Sequence, residues 1–197
     1  MAHYYDEDQD SQAREEEVRF TIRGRSYSLL AASGLFSKKK LDNATELLIK
    51  SADLSEDESV LDLGCGWGPV AVVLKDQFPH VSMMASDTNR RAVKFTCDNA
   101  RRNNVDVNVI HSHLFEKIDE DGFDIILTNP PYVAGRKVCF SFIEESYRHL
   151  KPGGRLHLVA RHSKGGKMLS KKMEERFGNV ADLAKQGGFR VYQSIKK

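Results

Sequence analysis

The sequence predicts an α/β fold: a seven-stranded, mostly parallel sheet with an antiparallel C-terminal strand and helices on both faces. Three observations predict it. Short apolar runs occur at residues 60–63, 81–85, 107–110, 125–127 and 156–159, the pattern of strands buried on both faces. Helical stretches at 69–78, 90–102 and 138–150 separate them, and repeated strand and helix units require a mainly parallel sheet. Two further runs, 180–185 and 189–195, are divided only by Gln186-Gly187-Gly188, a connection short enough for a tight antiparallel turn.

In chain order, residues 1–16 are polar, charged and without periodicity, so a mobile acidic leader is expected. Val18-Arg19-Phe20-Thr21-Ile22 alternates apolar and polar, Gly24 supplies a turn, and Arg25-Ser26-Tyr27-Ser28-Leu29 alternates again. That reads as a hairpin. From Leu41, residues Leu41, Ala44, Leu48 and Ala52 recur at helical spacing, with Asp42 and Asn43 available as caps. Pro69 suits a first helical position, and Val70, Val73, Leu74 and Phe78 share one face behind it. After the fifth strand a basic helix is expected over 164–177. Residues 17–197 are expected to form one domain, hairpin and first helix included.

The 30 basic and 28 acidic residues leave a formal charge of only +2. The balance is uneven. Residues 1–19 hold seven acids and two bases, so they carry −5 and the remaining body +7. A basic body suits an anionic partner. The leader either competes with that partner or aids solubility. No apolar run approaches the roughly 18 residues of a membrane span, and the start lacks the basic and apolar regions of a signal peptide. A cytoplasmic protein is expected. Cys65, Cys97 and Cys139 are widely spaced with no CxxC pair, which indicates neither a disulfide framework nor a metal site.

The stretch Asp62-Leu63-Gly64-Cys65-Gly66-Trp67-Gly68-Pro69 carries most information. Glycines between a strand and a helix let the backbone approach a ligand at the carboxyl edge of the sheet. The dinucleotide fingerprint is G-x-G-x-x-G. Here the spacing is G-x-G-x-G, and Asp62 stands two residues before the first glycine. A carboxylate there suits a cationic amino group better than a diphosphate. Asp87 closes the second strand, where it either accepts from a ribose diol or caps the following helix. The string resembles the first motif of class I S-adenosylmethionine-dependent methyltransferases, a Rossmann-like fold. The resemblance implies that Asp62, Gly64, Cys65, Gly66 and Gly68 wrap the methionine half of S-adenosylmethionine. It places Asp87 and Thr88 at the ribose. His113 stands where an acid or other polar residue often meets the adenine amine. The imidazole accepts one hydrogen bond there, or is a loop histidine, or backbone around Leu114 makes the contact.

After the fourth strand comes Asn129-Pro130-Pro131-Tyr132. Two prolines remove two donors and stiffen the loop. A planar amine is a poor nucleophile because its lone pair is delocalised. The Asn129 side-chain oxygen and the Pro130 carbonyl accept its two protons, and Tyr132 stacks on the planar group. The tetrapeptide resembles the signature of methyltransferases acting on planar nitrogens: adenine N6, cytosine N4, guanine N2 or the glutamine amide.

Residues 34–42 before the first helix and Ser163-Lys164-Gly165-Gly166-Lys167 near the C-terminus resemble the methyltransferase small domain family, especially members related to ribosomal RNA guanine-N2 methyltransferases. That resemblance brings Phe36 and Asp42 to the cofactor and Asn129 between cofactor and acceptor. Lys38, Lys39 and Lys40 form one basic cluster and Arg161, Lys164, Lys167 and Lys171 another, each either a solvated face or a seat for RNA phosphates. The leading expectation is methyl transfer to an exocyclic base nitrogen of RNA, most of all guanine N2 of ribosomal RNA. Protein glutamine methylation and a catalytically silent RNA-binding module are the alternatives.

Overall fold

The computed structural model describes residues 15–32, 40–119 and 122–197. The expectations for the leader through residue 14, and for Phe36, Lys38 and Lys39, lie outside the described residues. Strands β1 (Glu15–Ile22) and β2 (Arg25–Ala32) form an antiparallel hairpin. Its two-residue turn, Arg23-Gly24, has positive φ at both positions, 49° and 79°, which matches the twist of the flanking strands. Glu15 and Glu16 pair with Ala32 and Ala31, so they belong to the strand and not to the leader.

The main sheet comprises β3 (Ser59–Leu63), β4 (Ser82–Asp87), β5 (Asn108–His111), β6 (Phe123–Thr128), β7 (Leu150–Arg161), β8 (Ala181–Gln186) and β9 (Phe189–Ile195). Their order is β5-β4-β3-β6-β7-β9-β8. Strand β9 runs antiparallel to both β7 and β8, while β3 to β7 are mutually parallel. Helices α1 (Asn43–Ser51), α2 (Pro69–Gln77) and α3 (Arg90–Arg102) cover one face with the hairpin. Helices α4 (Arg136–His149) and α5 (Lys167–Phe177) cover the other.

Alternation along β3 shows how the sheet divides its side chains. Val60 enters the α1–α3 core, whereas Leu61 and Leu63 enter the α4–α5 core. Burying each such side chain contributes roughly 1.5–3 kcal/mol. A strand with both faces covered therefore reads as a continuous apolar run. Asp62 interrupts that run and shares the face of Val60, toward α2.

The chain leaves β3 toward β4 and β5 on one side and returns to β6 and β7 on the other. Such a reversal opens a crevice at the carboxyl ends of the central strands. The glycine loop follows β3 and the Asn129 loop follows β6, so both border the crevice.

The basic helix starts later than the sequence suggests. Residues His162–Gly166 form a wide turn in which Lys164 (φ −121°, ψ 64°) and Gly165 (φ 95°) leave helical geometry. The helix proper begins at Lys167. Gly166 has no room for a side chain: a Cβ there would stand 2.9 Å from the Arg161 carbonyl oxygen and from the Tyr192 hydroxyl.

Candidate active site

A cavity of about 430 Å³ occupies the crevice. Its wall takes Asp62, Gly64, Cys65 and Gly66 from the glycine loop, and Asp87 and Thr88 from the end of β4. His113 and Leu114 come from the loop after β5, Asn129, Pro130 and Pro131 from the loop after β6, and Asp42 from the start of α1. Leu114 holds a left-handed backbone, φ 50°, which is rare for a non-glycine residue. His113 is exposed.

The glycine loop is shaped by its backbone. The amides of Gly64 and Cys65 both donate to the Ser86 carbonyl, at 2.8 and 2.9 Å. Gly64 has φ 78°, and a Cβ there would lie 3.3 Å from the Phe142 ring. Gly68 stands outside the wall and packs α2 against α3. With φ 86°, its missing Cβ would stand 2.8 Å from Thr96 Cγ2. Two α3 residues that the sequence reading passed over fasten this loop. The Thr96 hydroxyl donates to the Gly66 carbonyl at 3.0 Å. Asn99 Nδ2 donates to the carbonyls of Trp67 and Leu30, both at 2.8 Å, while Oδ1 accepts from the Leu30 amide at 2.7 Å. Asn99 thus ties the loop to the hairpin. The available signal was two polar residues at helical spacing among Ala92, Phe95 and Ala100 on the buried face of α3.

Two carboxylates lie deep in the wall. Asp62 is 2% exposed and accepts one backbone bond, from the Ala71 amide at 3.3 Å. Burial pushes its carboxyl up to about 7; the Ala71 bond opposes the rise and the nearby Asp87 adds to it. Asp87 is 6% exposed and is also raised by burial, against donations from Asn89 and Gly66, each at 2.9 Å. The cap of α3 is Asn89, whose Oδ1 accepts from the amides of Arg91 and Ala92. Asp87 is therefore not that cap. With Asp42, these acids give the cavity a set of acceptors suited to a cationic ligand carrying amino and hydroxyl groups.

On the opposite wall, the Thr128 hydroxyl donates to the Leu63 carbonyl at 2.8 Å and locks the end of β6 to that of β3. Asn129 Nδ2 donates to the hydroxyl of Thr45, on α1, at 3.2 Å. The Pro131 carbonyl accepts from the Ala134 amide at 3.1 Å and the Cys139 thiol at 3.5 Å. Tyr132 is the one member of this loop's motif outside the cavity wall. Its hydroxyl donates to the Val159 carbonyl at 3.3 Å, and its ring lies against Gly165, where a Cβ would be 3.5 Å away. Burial holds its phenol above the ordinary range. The side chain expected to stack on a substrate has its hydroxyl bonded back to β7.

That contact sets the basic turn beside the Asn129 loop. Lys40, Arg161, Lys164, Lys167 and Lys171 are exposed. Arg161 lies over the Phe189 ring at 5.6 Å, and Lys171 forms a 3.8 Å ion pair with Glu175. Arg136 and Lys137, absent from the sequence expectation, are exposed at the start of α4 directly after the loop. Among the described residues no helix is long and apolar enough to cross a membrane, and no cluster of three or more His, Cys, Asp or Glu is placed to hold a metal ion.

Comparison with known proteins agrees with this architecture. A Bacillus subtilis protein, the uncharacterised YbxB, is 35% identical over 197 residues, covering 98% of both chains. Ribosomal RNA small subunit methyltransferase C of Photorhabdus laumondii is 33% identical over 168 residues, 83% of this chain and 48% of the relative. The solved T. thermophilus 16S rRNA N2 methyltransferase RsmC, in complex with AdoMet and guanosine, superposes with a TM-score of 0.82 at 26% identity. That match covers 93% of this chain and 51% of RsmC. The chain thus spans about half the length of the ribosomal RNA methyltransferases it matches. Residues 26–193 match the family model of the methyltransferase small domain, and the chain belongs to that family.

Proposed function

We propose that the protein transfers a methyl group from S-adenosylmethionine to an exocyclic base nitrogen of RNA, guanine N2 of ribosomal RNA being the acceptor favoured, and that residues 15–197 act as one catalytic domain. The observation that carries this reading is Asn129. It stands on the wall of an acid-lined cavity with its Nδ2 already engaged by Thr45. When bound, S-adenosylmethionine supplies an electrophilic methyl group on a sulfonium. Asp87 takes the ribose hydroxyls, and Asp62 lies at the base of the loop that holds the methionine half. Asn129 Oδ1 and the Pro130 carbonyl would accept hydrogen bonds from the two amine N–H groups, drawing the nitrogen lone pair out of conjugation as charge develops. Tyr132 braces the loop through its hydroxyl.

The basic rim favours RNA over a protein acceptor. Exposed Arg136 and Lys137 follow the Asn129 loop in the chain, and exposed Lys164 and Lys167 border Gly165, which lies against Tyr132; such a rim suits phosphate contacts around an outward-turned base. The names of the ribosomal RNA methyltransferase relatives support the same acceptor. Calorimetric titration with S-adenosylmethionine tests the cofactor assignment. Asp87→Ala is expected to weaken binding about tenfold or more, the scale of a lost charge-assisted hydrogen bond. Unchanged affinity in both Asp87→Ala and Asp62→Ala would contradict it.

A further inference from the structure

The side-chain amide of Asn129 has two ends, and only one serves an amine. Oδ1 accepts a hydrogen bond, whereas Nδ2 would meet an N–H group with another donor. A half-turn about the last side-chain bond exchanges the two. The prolines that follow stiffen the backbone but leave that rotation untouched.

A contact from a different element engages the Nδ2 end. Thr45 presents its hydroxyl oxygen 3.2 Å from Asn129 Nδ2. It is 6% exposed and sits in the first turn of α1, where Asp42 Oδ1 accepts from the amides of Ala44 and Thr45, each at 3.0 Å. The cap fixes the turn, and the turn fixes the hydroxyl. The Asn129 backbone is fixed separately, through the bond from Thr128 to Leu63.

The geometry points to Thr45 as the positioning residue that holds the Asn129 amide with Oδ1 free for the acceptor amine, an inference that rests on the function proposed above. Asp42 then serves the site twice, once on the cavity wall and once through the helix turn that carries Thr45. Orientation of the acceptor-side amide is supplied by α1, some 84 residues before it in the chain.

Thr45→Val and Thr45→Ser separate this role from simple filling of the wall. Valine keeps the shape and removes the hydroxyl; serine keeps the hydroxyl and removes the methyl. Three experiments are made: the Asn129 side-chain amide signals and their hydrogen exchange by NMR, S-adenosylmethionine affinity by calorimetry, and kcat and KM for methyl transfer to total RNA from cells lacking the protein. In Thr45→Val the Asn129 amide signals are expected to shift and exchange faster. Its kcat is expected to fall about tenfold, the scale of one hydrogen bond, with cofactor affinity within about twofold. Thr45→Ser restores both, and Thr45→Val adds nothing further in an Asn129→Ala background. Unmoved amide signals in Thr45→Val, or failure of serine to restore the rate, overturns the inference. If Asn129→Ala is inactive while Thr45→Val transfers at the parental rate, the positioning role alone falls. If Asn129→Ala keeps the parental rate, the catalytic reading falls and takes the positioning role with it.

Discussion

The glycine loop and the Asn129 loop face each other across one cavity, yet they are held by different means. The first is held by its backbone groups, which bond to β4 and to Thr96 and Asn99 of α3. Glycines adopt left-handed conformations, two amides converge on the Ser86 carbonyl, and buried Asp87 accepts from Gly66. The second is stiffened by prolines and aimed by distant partners: Thr45 from α1, Val159 from β7 and Cys139 from α4. A loop that must let a ligand approach its backbone needs particular residues within itself. One that must aim a side chain needs neighbours.

Substitutions that separate holding from aiming sharpen this contrast. The largest effect is expected at Asn129. Asn129→Ala should lower methyl transfer about 100- to 1,000-fold, as loss of a transition-state acceptor does, while cofactor affinity stays near parental. Parallel loss of both would merge the two regions into one binding unit. Next is Gly68→Ala, which forces a side chain into the left-handed region and onto Thr96. It should cost about 1–2 kcal/mol for the backbone alone, read as a lower midpoint of denaturant unfolding, and weaken cofactor binding by displacing the loop.

The pH response tests the buried acid of the glycine loop. Asp62 is held at about 7 in the folded protein against an ordinary 3.8. The folded state binds that proton more tightly, so the stabilisation is complete below about pH 4 and is lost as pH rises through 7. His157, buried and pushed down to about 4 from 6.5 by desolvation, acts oppositely: its contribution is complete above 6.5 and lost as pH falls through 4. The informative quantity is therefore the difference between parent and Asp62→Asn. The parent should lose stability relative to the variant between pH 4 and 7, measured by denaturant unfolding; a constant difference would mean that Asp62 stays ionised.

Smaller effects are expected at the rim and behind the acceptor loop. Charge reversal at Lys164 and Lys167 should weaken RNA binding and reduce its salt dependence by about 0.7 per lost phosphate contact for a single strand. An unchanged slope would make these lysines a solvated face. Tyr132→Phe removes the bond to the Val159 carbonyl but keeps the ring. A loss of about 1 kcal/mol in stability is expected, with transfer nearly unchanged.

The same contrast explains what the sequence made legible. Strand β3, the glycine spacing and Pro69 at the helix start are local patterns, and the structure places them as read. Asn129 and its prolines were visible as a tetrapeptide. Thr45, Thr96 and Asn99 were not, because their partners lie 30 to 84 residues away and a polar residue on a helix reads equally well as a solvated one. The bracing role of Tyr132 was hidden for the same reason. An aromatic beside a reactive loop suggests stacking, while the groups that hold it, Gly165 and the Val159 carbonyl near the end of β7, lie far along the chain. The late start of α5 has a similar origin: lysines at 164, 167 and 171 suit a helix, yet Gly165-Gly166 between them sets a wide turn first.

The most direct measurement is transfer of labelled methyl from S-adenosylmethionine to total RNA and total protein from cells lacking this protein, followed by mass spectrometry of the nucleosides. The predicted result is label in RNA as N2-methylguanosine, abolished by Asn129→Ala. Label confined to protein glutamine, or RNA label undiminished by Asn129→Ala, would contradict it.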